Sequence, residues 1–348
     1  MIDSTTSTKP WRRRAQVAVP VLTLAVALVG CSRGDTTDDG TVQVAAIVKG
    51  LDNPFFQAME DGLISSAEES GTDVTVQAAA DISDTVGQAD KLTALGVQDY
   101  NCYVVNPISG TNLVQTLTLM ASPDKPVVNI DSPLDPEAIE VADLDVATYI
   151  GTDNKAAGGK AGAFIVSEAG PNAEVAVVGG IAGDVTSAAR IDGFKAAVAG
   201  QVDIVQEVAA DWKREVALTK ATDILAANPN VKAFFAANDD MGLGIVKAVE
   251  NAGLTGKVVV VSVDGNKDAL ESVAGGGLSA TVAQYPYTIG ALGLQACEAA
   301  AAGIQLPDTI ESPTALVTRD DAESAIAQFP RPFEAFDNPL ETLLASSR

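Results

Sequence analysis

A series of short segments in this chain places an amide or a carboxylate where an apolar run stops. "VKGLDNPFF" offers Lys49 and Asn53, "YVVNP" ends in Asn106, and "VVNID" ends in Asp131. "FFAAND" supplies Asn238, "VVVVSVDG" supplies Asp264 and "ATVAQYP" supplies Gln284. Carboxylates accept and amides both accept and donate paired hydrogen bonds, which matches the neighbouring hydroxyls of a polyol. Charge-assisted bonds are the stronger kind, and a ligand lacking a hydroxyl would leave such groups unpaired. The set therefore points to sugar recognition. Each residue alone also has a plainer role as a cap or turn residue: Asn53-Pro54 is a sound helix start, with proline at the first helical position.

Further residues extend the pattern. Arg190 in "SAARIDGF" lies on a helical segment beginning near Val185 and can pair with the aspartates or with a ligand. Trp212 in "AADWKRE" follows an apolar β-rich run, on a strand-to-helix loop. Phe55 and Phe56 sit side by side after Asp52-Asn53-Pro54. Sugars have apolar C–H faces, so rings on two sides of a cleft can sandwich them. The chain has no histidine, which removes Ser-His-Asp triads, imidazole acid–base chemistry and the commonest metal ligand together. No metal site is expected, and with no GxGxxG after the first strand, no cofactor.

The elements that position these residues follow from the apolar pattern. Strands are expected at Val42–Val48, Val74–Ala79, Cys102–Asn106, Val127–Asp131, Val175–Gly179, Val202–Val208, Ala233–Asn238 and Val258–Asp264. Two more are expected at Leu278–Gln284 and Ala315–Thr318. Helical stretches such as Phe55–Ser70, Thr85–Gly96, Lys155–Ala169, Met241–Ala252 and Ile289–Gly303 alternate with them. Uninterrupted apolar strands flanked by helices indicate an α/β fold with parallel sheets covered on both faces. In such sheets ligands gather outside the carboxyl ends of the strands, where the polar residues above fall. Four strands precede Gly151-Thr152-Asp153 and four follow it before the chain returns, which suits two domains joined by several crossings. The tail from Arg319, with Pro330, Pro332 and Pro339, is expected on a surface.

The N-terminus reads as a leader. Arg12-Arg13-Arg14 precede an uncharged apolar run, Ala15 to Val29, too short to span a bilayer comfortably but suited to a signal peptide. The run ends in Leu28-Val29-Gly30-Cys31, the pattern of a bacterial lipoprotein, with Cys31 as the lipid-attachment residue. Residues 31–40 are small, polar and acidic, a flexible tether. The net charge of −24 should repel nucleic acid and anionic lipid. Cys102 and Cys297 lie in apolar contexts with nothing local to join them, so two buried thiols are expected.

These segments carry a family resemblance. "DNPFFQAMEDG", "VVNPISG", "VVNIDSP", "YIGTDN", "ARIDGF", "FFAANDDMGLG", "SVDG" and "ATVAQYP" occur in order over most of the chain. The chain resembles the type I periplasmic solute-binding proteins of sugar ABC transporters, most closely the ribose-binding group. The resemblance implies two Rossmann-like lobes joined by a three-segment hinge, which close around the ligand. It places the N-terminal lobe at 41–151 plus 285–314 and the C-terminal lobe and tail at 152–284 plus 315–348. It implies ligand contacts at Asn53, Phe55, Phe56, Asn106, Asp131, Arg190, Asn238, Asp264 and Gln284, with Trp212 stacking on the sugar. The implied protein is a monomer, anchored outside the cell membrane, that passes a sugar or sugar alcohol to a permease.

Three positions depart from the ribose pattern. Ser132 stands where ribose binders carry a second arginine, and Val263 where they carry an aromatic residue. Lys49 stands where they carry a small polar residue, as in several other sugar binders of the family. These changes point away from ribose itself, toward a related pentose, hexose or short polyol. A sensor for a sugar-derived signal, such as a furanone, is the alternative that would share Lys49 and the aspartates. An enzyme of the glycoside-hydrolase kind is disfavoured because the carboxylates sit among amides suited to holding hydroxyls. A repressor is disfavoured because no basic DNA-binding segment precedes the fold.

Overall fold

The computed structural model describes residues 41–345; the leader, Cys31 and the tether lie outside them. Five strands come first: β1 (Gln43–Val48), β2 (Asp73–Ala78), β3 (Cys102–Val105), β4 (Val127–Ile130) and β5 (Thr148–Thr152). Five more follow: β6 (Ala173–Gly179), β7 (Val202–Ala209), β8 (Ala233–Ala236), β9 (Val259–Asp264) and β10 (Ala280–Ala283). The chain then returns to add β11 (Thr309–Ser312) to the first set and β12 (Ala315–Val317) to the second. The sheets run β11-β5-β4-β3-β1-β2 and β12-β10-β9-β8-β6-β7. Every pairing is parallel except β10 with β12.

Strand β1 shows why the runs are continuously apolar. Val44, Ala46 and Val48 pack with Met59 and Leu63 on one face. Ala45 and Ile47 pack with Leu92 and Leu117 on the other. A strand covered on both sides has no polar alternate. In each sheet the order reverses at one place, between β1 and β3 and again between β6 and β8. The crevice outside the carboxyl ends at such a reversal is where open α/β sheets take ligands.

Local signals set the helices that flank that crevice. Asn53 caps the helix Pro54–Ser70, its side chain accepting from Phe55 N, and Gly71 ends the helix in the left-handed conformation. The helices Asn154–Ala169 and Val185–Val198 approach closely because Gly158 meets the carbonyl of Arg190 and Gly193 meets that of Lys155. A side chain at either glycine would collide with that backbone, so this pair fixes where Arg190 stands.

Several sequence expectations need correction. Residues 148–152 form a strand, which runs one residue past the expected lobe end at 151, and neither this strand nor β11 was anticipated. Cys102 and Cys297 are not separate thiols: they form a disulfide, with Cα atoms 5.7 Å apart across a sequence separation of 195 residues. The helix Pro286–Ala301, which carries Cys297, returns from the second lobe onto the first sheet, a closure invisible to local pattern.

The tail also differs from the assignment of 315–348 to one lobe. Its helix Ala322–Gln328 packs Ala322 and Ala325 into the second lobe. Beyond the prolines, Leu340 is fully buried in the first lobe's core, with Phe336, Leu343 and Leu344 against it. Arg331 donates to the Tyr287 hydroxyl at 3.0 Å where the tail passes between the lobes. The tail is thus a further link between them. Among the described residues no helix is long and apolar enough to cross a membrane.

Candidate functional site

The carboxyl ends of the two sheets face each other across a cleft with about 580 Å³ of empty space, part of it open to solvent. Lys49, Asn53, Phe55, Phe56, Asp131, Arg190, Trp212, Asn238 and Asp264 all line it. Asn106 and Gln284 do not: both are fully buried behind its walls.

Each lobe contributes a cation, a carboxylate and a ring. On the first lobe, the Lys49 ammonium stands 3.9 Å from Asp131 Oδ2 and 5.5 Å from the centre of the Phe56 ring. It donates to Ser132 Oγ at 2.7 Å. Phe55 and Phe56 meet edge to face, with ring centres 5.2 Å apart. Adjacent helix residues can both be buried here because the helix starts at the cleft floor, between core and cavity. On the second lobe, Arg190 Nη1 donates to Asp264 Oδ1 at 3.1 Å and lies 4–5 % exposed with its partner. The guanidinium sits 5.8 Å from the Trp212 ring, within cation–π range.

The backbone at the carboxylates and the indole is unusual. Asp131 (φ 59°), Trp212 (φ 62°) and Asp264 (φ 143°) all have positive φ, which non-glycine residues seldom adopt. Such strain is kept where surrounding contacts over-determine it, and it concentrates at ligand sites. At Asp131 the support is Tyr149, whose hydroxyl donates to the Asp131 carbonyl at 2.6 Å. Burial, first, and then the Asp131 charge push the Tyr149 hydroxyl well above its ordinary range, so it remains a donor. At Trp212 the indole lies against Gly180, where a side chain would fill the same space.

Buried polar contacts hold the second lobe's groups in place. Arg190 Nε donates to Asn154 Oδ1 at 2.9 Å and Nη1 donates to the Ala237 carbonyl at 2.6 Å. Gln284 Nε2 donates to Asp264 Oδ1 at 2.6 Å, and Asn238 Oδ1 accepts from Met241 N at 2.9 Å. Burial raises the Asp264 carboxyl to about 7, against the opposing pull of Arg190. Two oxygens of the residues behind the cleft walls, Asn106 Oδ1 and Gln284 Oε1, are buried with no hydrogen-bond partner. Buried acceptors of this kind are costly unless something donates to them.

The cleft also holds residues that pattern reading missed. Ile82, Ile108 and Ile181 come from the loops after β2, β3 and β6, and Asp184 and Thr186 from the start of the helix Val185–Val198. An isolated isoleucine in a loop has no periodic partner, so only its place after a strand end could have marked it. Among the described residues no group of three or more His, Cys, Asp or Glu is arranged to hold a metal ion.

Comparison with known proteins agrees with this geometry. A family model described as a periplasmic binding protein domain matches residues 44–305. The D-allose-binding periplasmic protein of Escherichia coli is 36% identical over 263 residues, covering 75% of this chain and 85% of that protein. The ribose import binding protein of Bacillus subtilis is 32% identical over 272 residues, covering 78% and 86%. Among solved structures, an ABC transporter solute-binding protein from Actinobacillus succinogenes with bound D-allose superposes with a TM-score of 0.77. It is 29% identical and covers 81% of this chain and 99% of that one. With two α/β lobes, mostly parallel sheets and this similarity, the chain belongs to the periplasmic binding protein family, as a type I sugar-binding protein of an ABC transporter.

Proposed function

We propose that the protein captures one monosaccharide or short sugar alcohol between its lobes and delivers it to its permease, without chemical change to the ligand. The observation that carries this reading is the doubled arrangement of cation, carboxylate and ring, one set on each wall of a single cleft. Rings on opposite walls suit the two faces of one sugar ring, and the carboxylates suit hydroxyls at its rim. Asn106 Oδ1 and Gln284 Oε1 would accept from hydroxyls at the base or be satisfied by a bridging water. In this reading the expected contact set applies, with Asn106 and Gln284 as the deepest members.

Lys49 directs the choice of sugar. With Ser132 beside Asp131, the cation paired with that carboxylate among the described residues is the Lys49 ammonium, a compact charge with three donors in place of a planar fork. This favours a relative of ribose over ribose itself, and an allose-like hexose fits because a relative named for D-allose is 36% identical. We further propose a monomer tethered outside the cell membrane by a lipid on Cys31, which predicts release into the medium on Cys31→Ser.

The test is a thermal-shift screen against pentoses, hexoses and alditols. A ligand at 100 times its dissociation constant should stabilise the folded state by about 2.7 kcal/mol. A response confined to one or a few sugars supports the proposal; a flat response across all of them contradicts it.

A further inference from the structure

Asp239 does not line the cleft, yet its carboxylate is fully buried and joins all three strand ends that supply the second lobe's polar contacts. It accepts from Ser262 Oγ at 2.5 Å, from Thr281 Oγ1 at 2.7 Å and from Asn266 N at 2.7 Å. Ser262 and Asn266 stand two residues before and two after Asp264. Thr281 stands three before Gln284, and Asp239 itself follows Asn238.

The β9–β10 ladder itself pairs Asp264 with Ala283, and Gln284 N donates to the Asp264 carbonyl at 3.0 Å; the Asp239 bonds act where no ladder does, between Asn238 and β9. The β8–β9 ladder ends at Phe235 and Val261, so Asn238 and Asp264 extend past their last shared pairing. Asp264 and Gly265 then have φ values of 143° and 77°, a turn that must be held from outside. The bond from Asn266 N to Asp239 pins the chain directly after that turn. Asn266 makes no side-chain cap of its own to the helix Lys267–Gly275 that it precedes.

We infer that Asp239 is a positioning residue for the sugar site: it sets where Asn238 stands relative to Asp264 and Gln284 without touching the ligand. This inference rests on the sugar-binding reading above. A purely structural role is the competing account, but a buried carboxylate is a poor device for stability alone, since well-packed apolar side chains serve as well or better. Burial and the adjacent Asp264 charge both push the Asp239 carboxyl up, while its three donors pull it down. The group is held against a cost, and each of its donors belongs to a segment that carries a cleft residue or, through Gln284, a direct partner of one.

In Asp239→Asn the amide either turns its NH2 toward the Asn266 N–H, donor against donor, or turns it toward the two hydroxyls, which must then reverse and accept; in both cases the charge-assisted bonds are lost. Thr281→Val removes one donor at nearly constant shape, and Thr281→Ser keeps it. The probe is D-allose, titrated calorimetrically at a temperature where circular dichroism shows every variant folded, so loss of stability alone does not move the affinity. The dissociation constant is expected to rise on the order of tenfold or more in Asp239→Asn. It should rise less in Thr281→Val and stay near wild type in Thr281→Ser. Folded Asp239→Asn and Thr281→Val proteins that both bind as wild type would overturn the inference while leaving the sugar site intact. If Asp239→Asn does not fold, the Thr281 pair decides: equal affinity for Val and Ser overturns it. A wild-type protein that binds neither D-allose nor any other sugar of the screen would overturn both this inference and the reading it rests on.

Discussion

The Lys49 ammonium donates to Ser132 Oγ at 2.7 Å, so two departures from the ribose-binder pattern, 83 residues apart in sequence, meet at one point. One removes a cation after β4 and the other supplies a cation after β1, and both changes fall beside Asp131. The positive charge facing that carboxylate is relocated, not lost.

Removing it should therefore leave the Asp131 carboxylate without its cation on the cleft wall. In Lys49→Ala we expect the sugar dissociation constant to rise about tenfold, in line with a charged hydrogen bond at a site still partly solvated. Calorimetric titration checks this, and an unchanged affinity would place Lys49 outside the contact set.

Acidity should modulate both stability and binding through Asp264, whose carboxyl is raised to about 7 in the fold from an ordinary 3.8. Between those values the folded state holds a proton that the unfolded chain has released. This group's contribution to the ligand-free protein's stability is thus full below pH 3.8, declines up to about pH 7 and is level above. Sugar hydroxyls donate to the ionised form, so binding runs the other way. Affinity should increase about tenfold from pH 6 to pH 8, with proton release in the lower part of that range. Calorimetry in buffers of different ionisation enthalpy reads both quantities.

The Cys102–Cys297 disulfide fastens β3 to the helix Pro286–Ala301, inside the first lobe and away from the cleft residues. Paired Cys102→Ala and Cys297→Ala changes should lower the unfolding free energy by about 2–5 kcal/mol. Sugar affinity at a temperature where the protein is folded should not move. Denaturant titrations with and without reductant, each followed by a binding measurement, test the two parts separately.

Leu340 fills the first lobe's core from the tail and is fully buried. Leu340→Ala should cost about 2–5 kcal/mol, the range for deleting a buried leucine side chain. Equilibrium unfolding checks it; a change below 0.5 kcal/mol, typical of an exposed position, would show the tail to be undocked.

How much of this was legible depended on whether the cause was local. Runs such as Val258–Asp264 announce themselves because strands buried on both faces need apolar residues at every position. Asp131, Asn238 and Asp264 were visible because each interrupts such a run at its end, and Asn53 because it stands before Pro54 as a helix cap. Thr148–Thr152 was harder to see, since Gly151-Thr152-Asp153 reads as the divide between the two sets of strands. Leu340 lies among prolines with no period to betray it, and Ile108 and Ile181 are single apolar residues in loops. Cys102 and Cys297 meet only through the return of a helix from the other lobe. The role inferred for Asp239 needed the coordinates as well, because its three donors come from segments up to 42 residues away.

The most direct measurement uses the indole on the cleft wall. The chain has two tryptophans, Trp11 and Trp212, so with Trp11→Phe the emission reports Trp212 alone. Titration with the sugar selected by the thermal screen should give a saturable change in that emission. Its midpoint should match the calorimetric dissociation constant, and the change should be absent in Asp264→Ala. Calorimetric binding with no change in Trp212 emission, or full binding by Asp264→Ala, would contradict a sugar held between these two walls.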